Sequence, residues 1–349
     1  MKPVVLVMTT VHWPDDTRIR ERLIRTLTAD FDVVYAARSP GPSDMTGIEY
    51  VGLVGGRVAR NLRGIRVALT KAWDVMVIHD PELIICGVLA RLLRRRPVVF
   101  DVHEDVPATV HTRSWVPGLA RRPLSALMTI LLRVAERFLS ITLAEPGYQR
   151  LFSRSHPVFG NYPDTSRFPP PGVDPEGPVI YLGDVTIERG VDVAVAACSA
   201  LSVPMRLIGR VTDGTRDTLV RESTLGDDLS IEGPVPNRTA LGYLGGGSVG
   251  LAPLRDLPNY RHSQPTKILE YLAMGLPVVA SDLPGTRRLV EGLDAVTLVK
   301  PGDVNDLATA IADARSPDVA RRALTQASDI RARFRWPADD VRDFYRSLI

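Results

Sequence analysis

The sequence predicts an α/β protein built from two doubly wound halves, on three observations. Short β-branched runs alternate with stretches of helical period, the runs fall into two series of similar rhythm, and a proline-rich segment without period separates the series. The 349 residues suffice for two domains of ordinary size, and 45% apolar against 24% charged residues is the balance of a chain that buries substantial cores.

The first series runs "PVVLVMT", "DVVYAA", "DVMVIHD", "PVVFDVHE" and "SITLAE". Runs this apolar, with helical patterns between them, suit parallel strands covered on both faces. Ligands of open parallel sheets sit beyond the carboxyl ends of the strands, so those exits are the positions to inspect. The first run exits at "VHWPDD" with His12, the third at His79, Asp80 and Glu82, and the fourth at His103, Glu104 and Asp105. Each histidine alone could be structural; three of the six at equivalent places make a candidate site.

Residues 156–178, "HPVFGNYPDTSRFPPPGVDPEGP", hold seven prolines and mark the boundary. The expected division is a first domain over 1–160, a linker over 161–178 and a second domain over 179–336. The second series is "PVIYLGD", "MRLIGR", "LSIEGPV", "VGLAPL", "PVVASD" and "AVTLVK". Its exits carry Gly183 followed by Arg189 and Gly190, then Gly209 and Arg210, then Glu232 and Gly233. Small residues let a backbone approach a ligand, and Arg189 can grip a pair of phosphate oxygens. Taken singly, each glycine reads equally as an ordinary βα turn.

The stretch "SQPTKILEYLAMGLPVVASD", residues 263–282, predicts a helix and then a strand. Ser263 can cap, Pro265 suits a first turn and Gly275 closes the helix. That puts Lys267 in the first turn, where unpaired N–H groups make a positive charge unfavourable unless an anion shares the site. Ile268, Leu269, Leu272 and Ala273 form the expected buried stripe, leaving Lys267, Glu270 and Tyr271 on faces open to a ligand or a neighbouring domain. The alternative is a Lys267–Glu270 pair, worth only about 0.2–0.5 kcal/mol and oriented against the dipole.

Residues 1–170 carry 23 Lys+Arg against 16 Asp+Glu, a charge of +7, and the remainder 20 against 24, a charge of −4. The basic runs "RLLRRR" (91–96) and "RSWVPGLARRP" (113–123) either face an anionic membrane or acidic acceptor or are a solvated surface. No nucleic-acid partner is expected, because the basic residues are not interleaved with aromatics. Cys86 and Cys198 lie in apolar runs, which points to a reducing compartment without disulfides. The start "MKPVVLVMTTVHW" reads as a strand rather than a signal peptide, and no stretch is apolar enough to span a bilayer. A cytoplasmic enzyme or binding protein is expected, with peripheral contact at the inner membrane face left open. The Asp30-x-Asp32 pair enters a strand instead of leaving one and no Cys/His cluster has zinc spacing, so no metal is expected.

The residues also carry a family resemblance. "PTKILEYLAMGLPVVASDLPG" resembles the donor-binding signature of GT-B glycosyltransferases, especially the retaining family 4 (group 1) type. "YLGDVTIERGVD" is similar to the segment that opens the second domain of that family. "VHWPDDTRIRERLIRTL", "IHDPEL" and "FDVHED" look like acceptor-domain motifs of a bacterial branch, and "FRWPADDVRDFYRSL" resembles the last helix, which crosses back to the first domain. The resemblance spans nearly the whole chain in order. It implies the GT-B fold, two Rossmann-like domains facing each other across a cleft, with a C-terminal helix over 337–349 returning to the first.

The activity so implied is transfer of a sugar from a nucleotide-diphosphate sugar to an acceptor hydroxyl, with retention and without a metal, in carbohydrate or natural-product biosynthesis. The nucleotide sugar is a co-substrate and no cofactor is implied; the acceptor is a small molecule, a glycan or a lipid-linked group. Glu270 would bind the ribose, with Lys267 and Arg189 on the diphosphate and Gly183 and Gly209 admitting it. His262 stands where the family commonly has a second glutamate contacting the sugar, so His262 or the backbone around Ser263 would take that place. Asp184 stands where a basic residue is frequent, and "TTVHWPDD" replaces a glycine-rich turn, which implies an unusual acceptor. His12, His79, Asp80, Glu82, Glu104 and Asp105 are the acceptor-binding candidates, and His103, Arg189 and Lys267 the catalytic ones, with His103 set nearest the reacting centre. Two alternatives stay open: another GT-B enzyme, such as an epimerase or phosphorylase, or a catalytically silent GT-B subunit that binds a nucleotide or a partner transferase.

Overall fold

The computed structural model describes residues 2–41, 46–112, 116–165, 168–212, 214–235 and 237–349. The chain divides into two compact units, Met1–Asn161 with Trp336–Ile349, and Tyr162–Arg335.

Unit 1 opens with β1 (Val4–Met8), a wide-turned π helix Thr17–Ile24 that runs on as α1 (Arg25–Leu27), β2 (Asp32–Arg38) and β3 (Ile48–Leu53). It continues with α2 (Arg57–Thr70), β4 (Val75–Ile78), α3 (Ile84–Arg94), β5 (Val98–Val102), α4 (Val106–Thr112), α5 (Gly118–Phe138) and β6 (Ser140–Leu143). The six strands are parallel in the order β3-β2-β1-β4-β5-β6. Register aligns Val5 with Val33 and Val75, and Leu6 with Val34 and Met76, so the period of two sends each set to its own face. Val5, Val7, Val33 and Val75 pack against Ile19, Leu23 and Leu27; Leu6, Met8, Met76 and Phe100 pack against α2, α3 and α5. The sequence reading passed over β3, an edge strand whose Glu49 and Gly52 are exposed, because a half-covered edge lacks the continuous apolar run of the inner strands.

Unit 2 repeats the design with β7 (Val179–Leu182), α6 (Val191–Leu201), β8 (Met205–Ile208), α7 (Thr215–Glu222), β9 (Leu229–Glu232), α8 (Asn237–Leu244) and β10 (Val249–Ala252). Then come α9 (Lys267–Ala273), β11 (Val278–Ser281), α10 (Pro284–Leu289), β12 (Val296–Val299), α11 (Val304–Ala314) and α12 (Pro317–Arg333). Its parallel order is β12-β11-β10-β7-β8-β9. Residues 162–178 lie on this unit, where the Gly172 and Asp174 amides donate to Met274 and Gly247 carbonyls at 2.9 and 3.0 Å.

The last helix, α13 (Ala338–Arg346), belongs to unit 1. Val341 and Tyr345 are buried beside Ile19 and Leu23, Trp336 Nε1 donates to Thr26 Oγ1 at 2.8 Å, and Arg346 pairs with Asp30 at 2.8 Å. Asp30 of the Asp-x-Asp pair is therefore an anchor for this helix. Tyr345→Ala empties a fully buried site and should cost unit 1 about 3–5 kcal/mol, by analogy with other large aromatics. Hydrogen exchange read by mass spectrometry should show the loss of protection in peptides of unit 1 and leave those of unit 2 unchanged.

Candidate active site

In each sheet the chain reverses direction beside its first strand, and the crevice at such a switch point is where open α/β sheets take ligands. The switch in unit 1 lies between β1 and β4, and in unit 2 between β7 and β10.

Around the switch of unit 1 the structure gathers His12, His79 and His103 from the exits of β1, β4 and β5. The ring centroids of His79 and His12 lie 4.8 and 5.4 Å from that of His103. Beneath them is an ion pair the sequence reading missed. Arg18 lies on both oxygens of Asp101, Nε to Oδ2 at 3.1 Å and Nη2 to Oδ1 at 2.8 Å, and both residues are buried. Arg18 also donates to Phe159 O at 2.9 Å, and Thr142 Oγ1 donates to Asp101 at 2.8 Å. His103 Nε2 lies 2.6 Å from Asp101 Oδ2 and 3.1 Å from His79 Nδ1. Burial is the main cause that lowers His103 to about 4, with the Arg18 and His79 charges acting the same way against the pull of Asp101.

Among the described residues, His79, Asp101 and His103 bring three ligand-type atoms within 4.8 Å of one another. The Arg18 guanidinium already occupies both carboxylate oxygens and its charge opposes a cation, so the cluster is a charge-paired hydrogen-bond network.

His12 differs from its neighbours. Its Nδ1 lies 3.1 Å from Asp16 and its Nε2 3.5 Å from Asp80, and its side chain is 30% exposed against 11% for His103. Burial works against its charge, but the Asp16 hydrogen bond and the charges of Asp16, Asp80 and Glu104 outweigh it and raise His12 to about 9. The expectation that set His103 nearest a reacting centre meets a geometry in which His12, as an imidazolium, is the outermost of the three.

Several expected acceptor ligands are engaged inside the unit. Asp80 is buried, and its Oδ2 accepts from Thr9 Oγ1 at 2.9 Å and Val11 N at 3.2 Å, which holds the β1 exit loop. Asp105 is buried, accepts from Ala108 N at 3.1 Å at the start of α4 and pairs with Arg150. Both are supports, not open ligands, because a strand-exit carboxylate is also the nearest acceptor for the amides of the following turn. Glu82 accepts from Thr10 Oγ1 at 2.8 Å and Asn61 Nδ2 at 3.0 Å and pairs with Arg57. Burial raises its pKa, but those bonds prevail and hold it below the usual carboxylate range. Glu104 is half-buried beside this group.

In unit 2, α9 begins at Lys267 with Thr266 before it, and the Thr266 side chain makes no capping hydrogen bond. Gly275, at φ +86°, closes the helix as expected. The open faces expected for Tyr271 and Lys267 are not found. The Tyr271 ring lies over Gly250, where a Cβ would come within 2.3 Å, and its hydroxyl accepts from Leu182 N at 2.7 Å and donates to Leu251 O at 3.2 Å. Tyr271 thus bolts α9 across β7 and β10. The strands β7 and β10 cover the faces that the helix period alone left open.

Lys267 is buried, and among the described residues its Nζ has no hydrogen-bond partner. It lies 3.8 Å from the centroid of the Tyr181 ring and 3.1 Å from where a Cβ of Gly183 would stand. Burial first, then the Arg189 charge, push its pKa well below the ordinary lysine value, against Glu270 and Asp184. Glu270 is half-buried in the first turn of the same helix. Gly183 and Gly209, at φ +128° and +145°, must be glycines; a Cβ at Gly209 would stand 2.1 Å from Gly183 O. Arg189 reaches Asp184 at 3.8 Å, and its loop is held down by Arg255 Nε, which donates to Ile187 O at 3.0 Å. His262 and Ser263 lie on the loop before α9, whose backbone presses on α10 so closely that a Cβ at Gly285 would meet Ser263 O at 2.2 Å. Lys267, Gly183, Gly209 and Arg189 therefore surround one crevice at the switch point.

The match to known proteins falls on this unit. Residues 177–316 match the family model described as glycosyl transferases group 1. That segment is similar to group 1 glycosyl transferases over less than half of this chain. A Bacillus subtilis (strain 168) protein, named as the teichuronic acid biosynthesis glycosyltransferase TuaC, is 30% identical over 133 residues, which are 38% of this chain and 31% of that protein. The whole chain shares the GT-B fold with solved glycosyltransferases. Sucrose-phosphate synthase from Thermosynechococcus elongatus superposes with a TM-score of 0.79 at 18% identity, over 100% of this chain and 99% of its own. HepE of Anabaena, solved in complex with UDP, gives 0.68 at 16% identity over 99% of both chains. The buried Lys267 and its glycines lie inside the matched segment.

Two outcomes test the geometry of unit 1. Arg18→Met leaves Asp101 as an uncompensated buried charge and should cost about 3–5 kcal/mol in urea denaturation, part of which Arg18→Met with Asp101→Leu should restore. His12, raised to about 9, contributes stability that is complete below its ordinary value of 6.5 and lost as pH rises through about 9. An NMR titration of His12 should show that midpoint, and Asp16→Asn should bring it down toward 6.5.

Proposed function

We propose that the chain is a glycosyltransferase whose group 1 domain binds a nucleotide-diphosphate sugar at the β7/β10 switch point. The observation that carries this reading is the Lys267 amine, buried in the first turn of α9 with no hydrogen-bond partner for Nζ among the described residues, beside glycines that would admit a ligand to the backbone. Such an amine is costly to bury, and a diphosphate there would supply its missing acceptor and favour its charged form. Arg189 would hold the second phosphate and Glu270 the ribose hydroxyls. HepE of Anabaena was solved in complex with UDP, so UDP is the first nucleotide to try.

The chemistry follows from charge. As the sugar C1–O bond breaks, negative charge grows on the leaving diphosphate, and Lys267, Arg189 and the amides of α9 offset it more in the transition state than in the ground state. With that charge met by fixed cations, the transfer needs no metal, and in a retaining course the leaving phosphate can take the acceptor proton. Unit 1 would supply acceptor recognition, with the His12 imidazolium and Glu104 as its accessible groups and the Arg18–Asp101–His103 network as their support. His262 near the sugar would replace the carboxylate that the family resemblance leads one to expect.

Lys267→Met tests the reading in two ways at once. Turnover, followed as release of nucleoside diphosphate, should fall by about 30- to 1000-fold, the equivalent of about 2–4 kcal/mol. The ligand-free protein should melt no lower than wild type, since the variant removes an unpaired buried charge, while the rise in melting temperature on adding UDP should disappear. Turnover and nucleotide-induced stabilisation at wild-type levels would sink the diphosphate assignment.

A further inference from the structure

Helix α3 departs from the rule that a surface helix is apolar on one side only. Ile84, Cys86, Gly87 and Ala90 are buried toward the sheet, yet Ile85, Leu89, Leu92 and Leu93 stand on the other side, between 47% and 69% exposed. Their spacing is itself helical, so the exposed residues form a second stripe. On α2 and α5, the helices that flank α3 in the same layer, the outward sides are apolar as well, with Val58 and Leu62 on one and Leu127 and Ile130 on the other. Of the seventeen exposed large apolar side chains among the described residues, eleven lie on these three helices and two on unit 2. Random scatter would divide them more evenly between two units of similar size, so this concentration marks a surface that something covers.

Charge identifies the occupant. The three helices, with the two residues that follow α3, carry twelve arginines and one acid, Glu136. Glu136 is turned inward, where it accepts from the Ser153 and Arg154 amides at 2.7 and 2.8 Å. Arg66, Arg91, Arg95 and Arg122 are exposed and, among the described residues, pair with no carboxylate. A second copy of this face would set arginine against arginine across a two-fold axis. Lipid phosphates would meet the guanidinium groups while the leucines enter the acyl boundary, the arrangement of interfacial helices.

We propose that the α2–α3–α5 layer of unit 1 docks on an anionic phospholipid surface and holds the protein there peripherally. Among the described residues no helix is long and apolar enough to cross a membrane, which suits docking by side chains alone. The layer also adjoins the switch point of unit 1, since Arg57 and Asn61 of α2 both reach Glu82. The inference rests on surface composition, not on the transferase reading, and either can fail without the other.

Sedimentation with vesicles tests it. The full chain should bind vesicles of phosphatidylcholine mixed with phosphatidylglycerol, hardly bind phosphatidylcholine alone, and lose binding as salt is raised. Arg66→Gln, Arg91→Gln and Arg95→Gln together should lower the partition coefficient by roughly 100-fold, at about fivefold for each arginine. Leu89→Glu with Leu93→Glu should abolish binding while the melting temperature and UDP-induced stabilisation stay at wild-type values. Equal binding to neutral vesicles, full binding by the glutamate variant, or no vesicle binding by wild type would each overturn the proposal. A concentration-dependent dimer that the glutamate variant dissolves, without vesicle binding, would assign the face to a second copy instead.

Discussion

The reversal of strand order beside the first strand of each sheet is the constraint on which the rest of this molecule depends. Parallel strands with right-handed crossovers must place helices on one face while the chain travels one way and on the other face when it travels back. The two strands at the reversal then have exits that no connecting helix covers. Unit 1 fills that opening with three imidazoles and their carboxylates, and unit 2 with a lysine, an arginine and glycines at positive φ. One architecture thus supplies two crevices of different chemistry.

The two crevices also treat buried charge in opposite ways. Arg18 and Asp101 neutralise each other with near-ideal geometry, which fixes the helix Thr17–Ile24 to β5, while burial holds His103 well below its ordinary pKa against the pull of Asp101. Lys267 has no such partner, and Tyr271 and α12 hold its helix firmly enough that it cannot turn away. A pair that is complete within the fold serves stability, whereas on the reading proposed above Lys267 would find its missing acceptor in a bound diphosphate. The same contrast separates the two faces of unit 1. One is closed by α13, and the other ends in leucines and arginines with no protein against them among the described residues.

Much of the fold was legible because a parallel strand buried on both faces is a continuous apolar run; eleven of the twelve strands were read from apolar runs, though the edge strands β9 and β12 are only partly buried. The edge strand β3 does not, since only part of it is covered. The site was legible where topology alone fixes position: His12, His79 and His103 follow strands, and Lys267 opens a helix. It was not legible where the partner comes from far along the chain. Asp101 looks like one polar residue in an apolar strand, and Arg18 like one of several arginines on a helix, until the sheet brings them together across 83 positions.

Sequence by itself determined the alternation of strand and helix, the exits that carry ionisable groups, the mismatch between Lys267 and the start of its helix, and the basic excess of the first half. These are properties of neighbours along the chain, and local period and dipole are enough to read them. Only the tertiary structure decided which of the acids are buried supports, that Tyr271 faces inward, that the His12 pKa is raised and that of His103 lowered, and that three separate helices share one arginine-edged apolar face. Each of those depends on what packs across a gap in sequence, where burial changes the energy of a charge by more than any neighbour along the chain can.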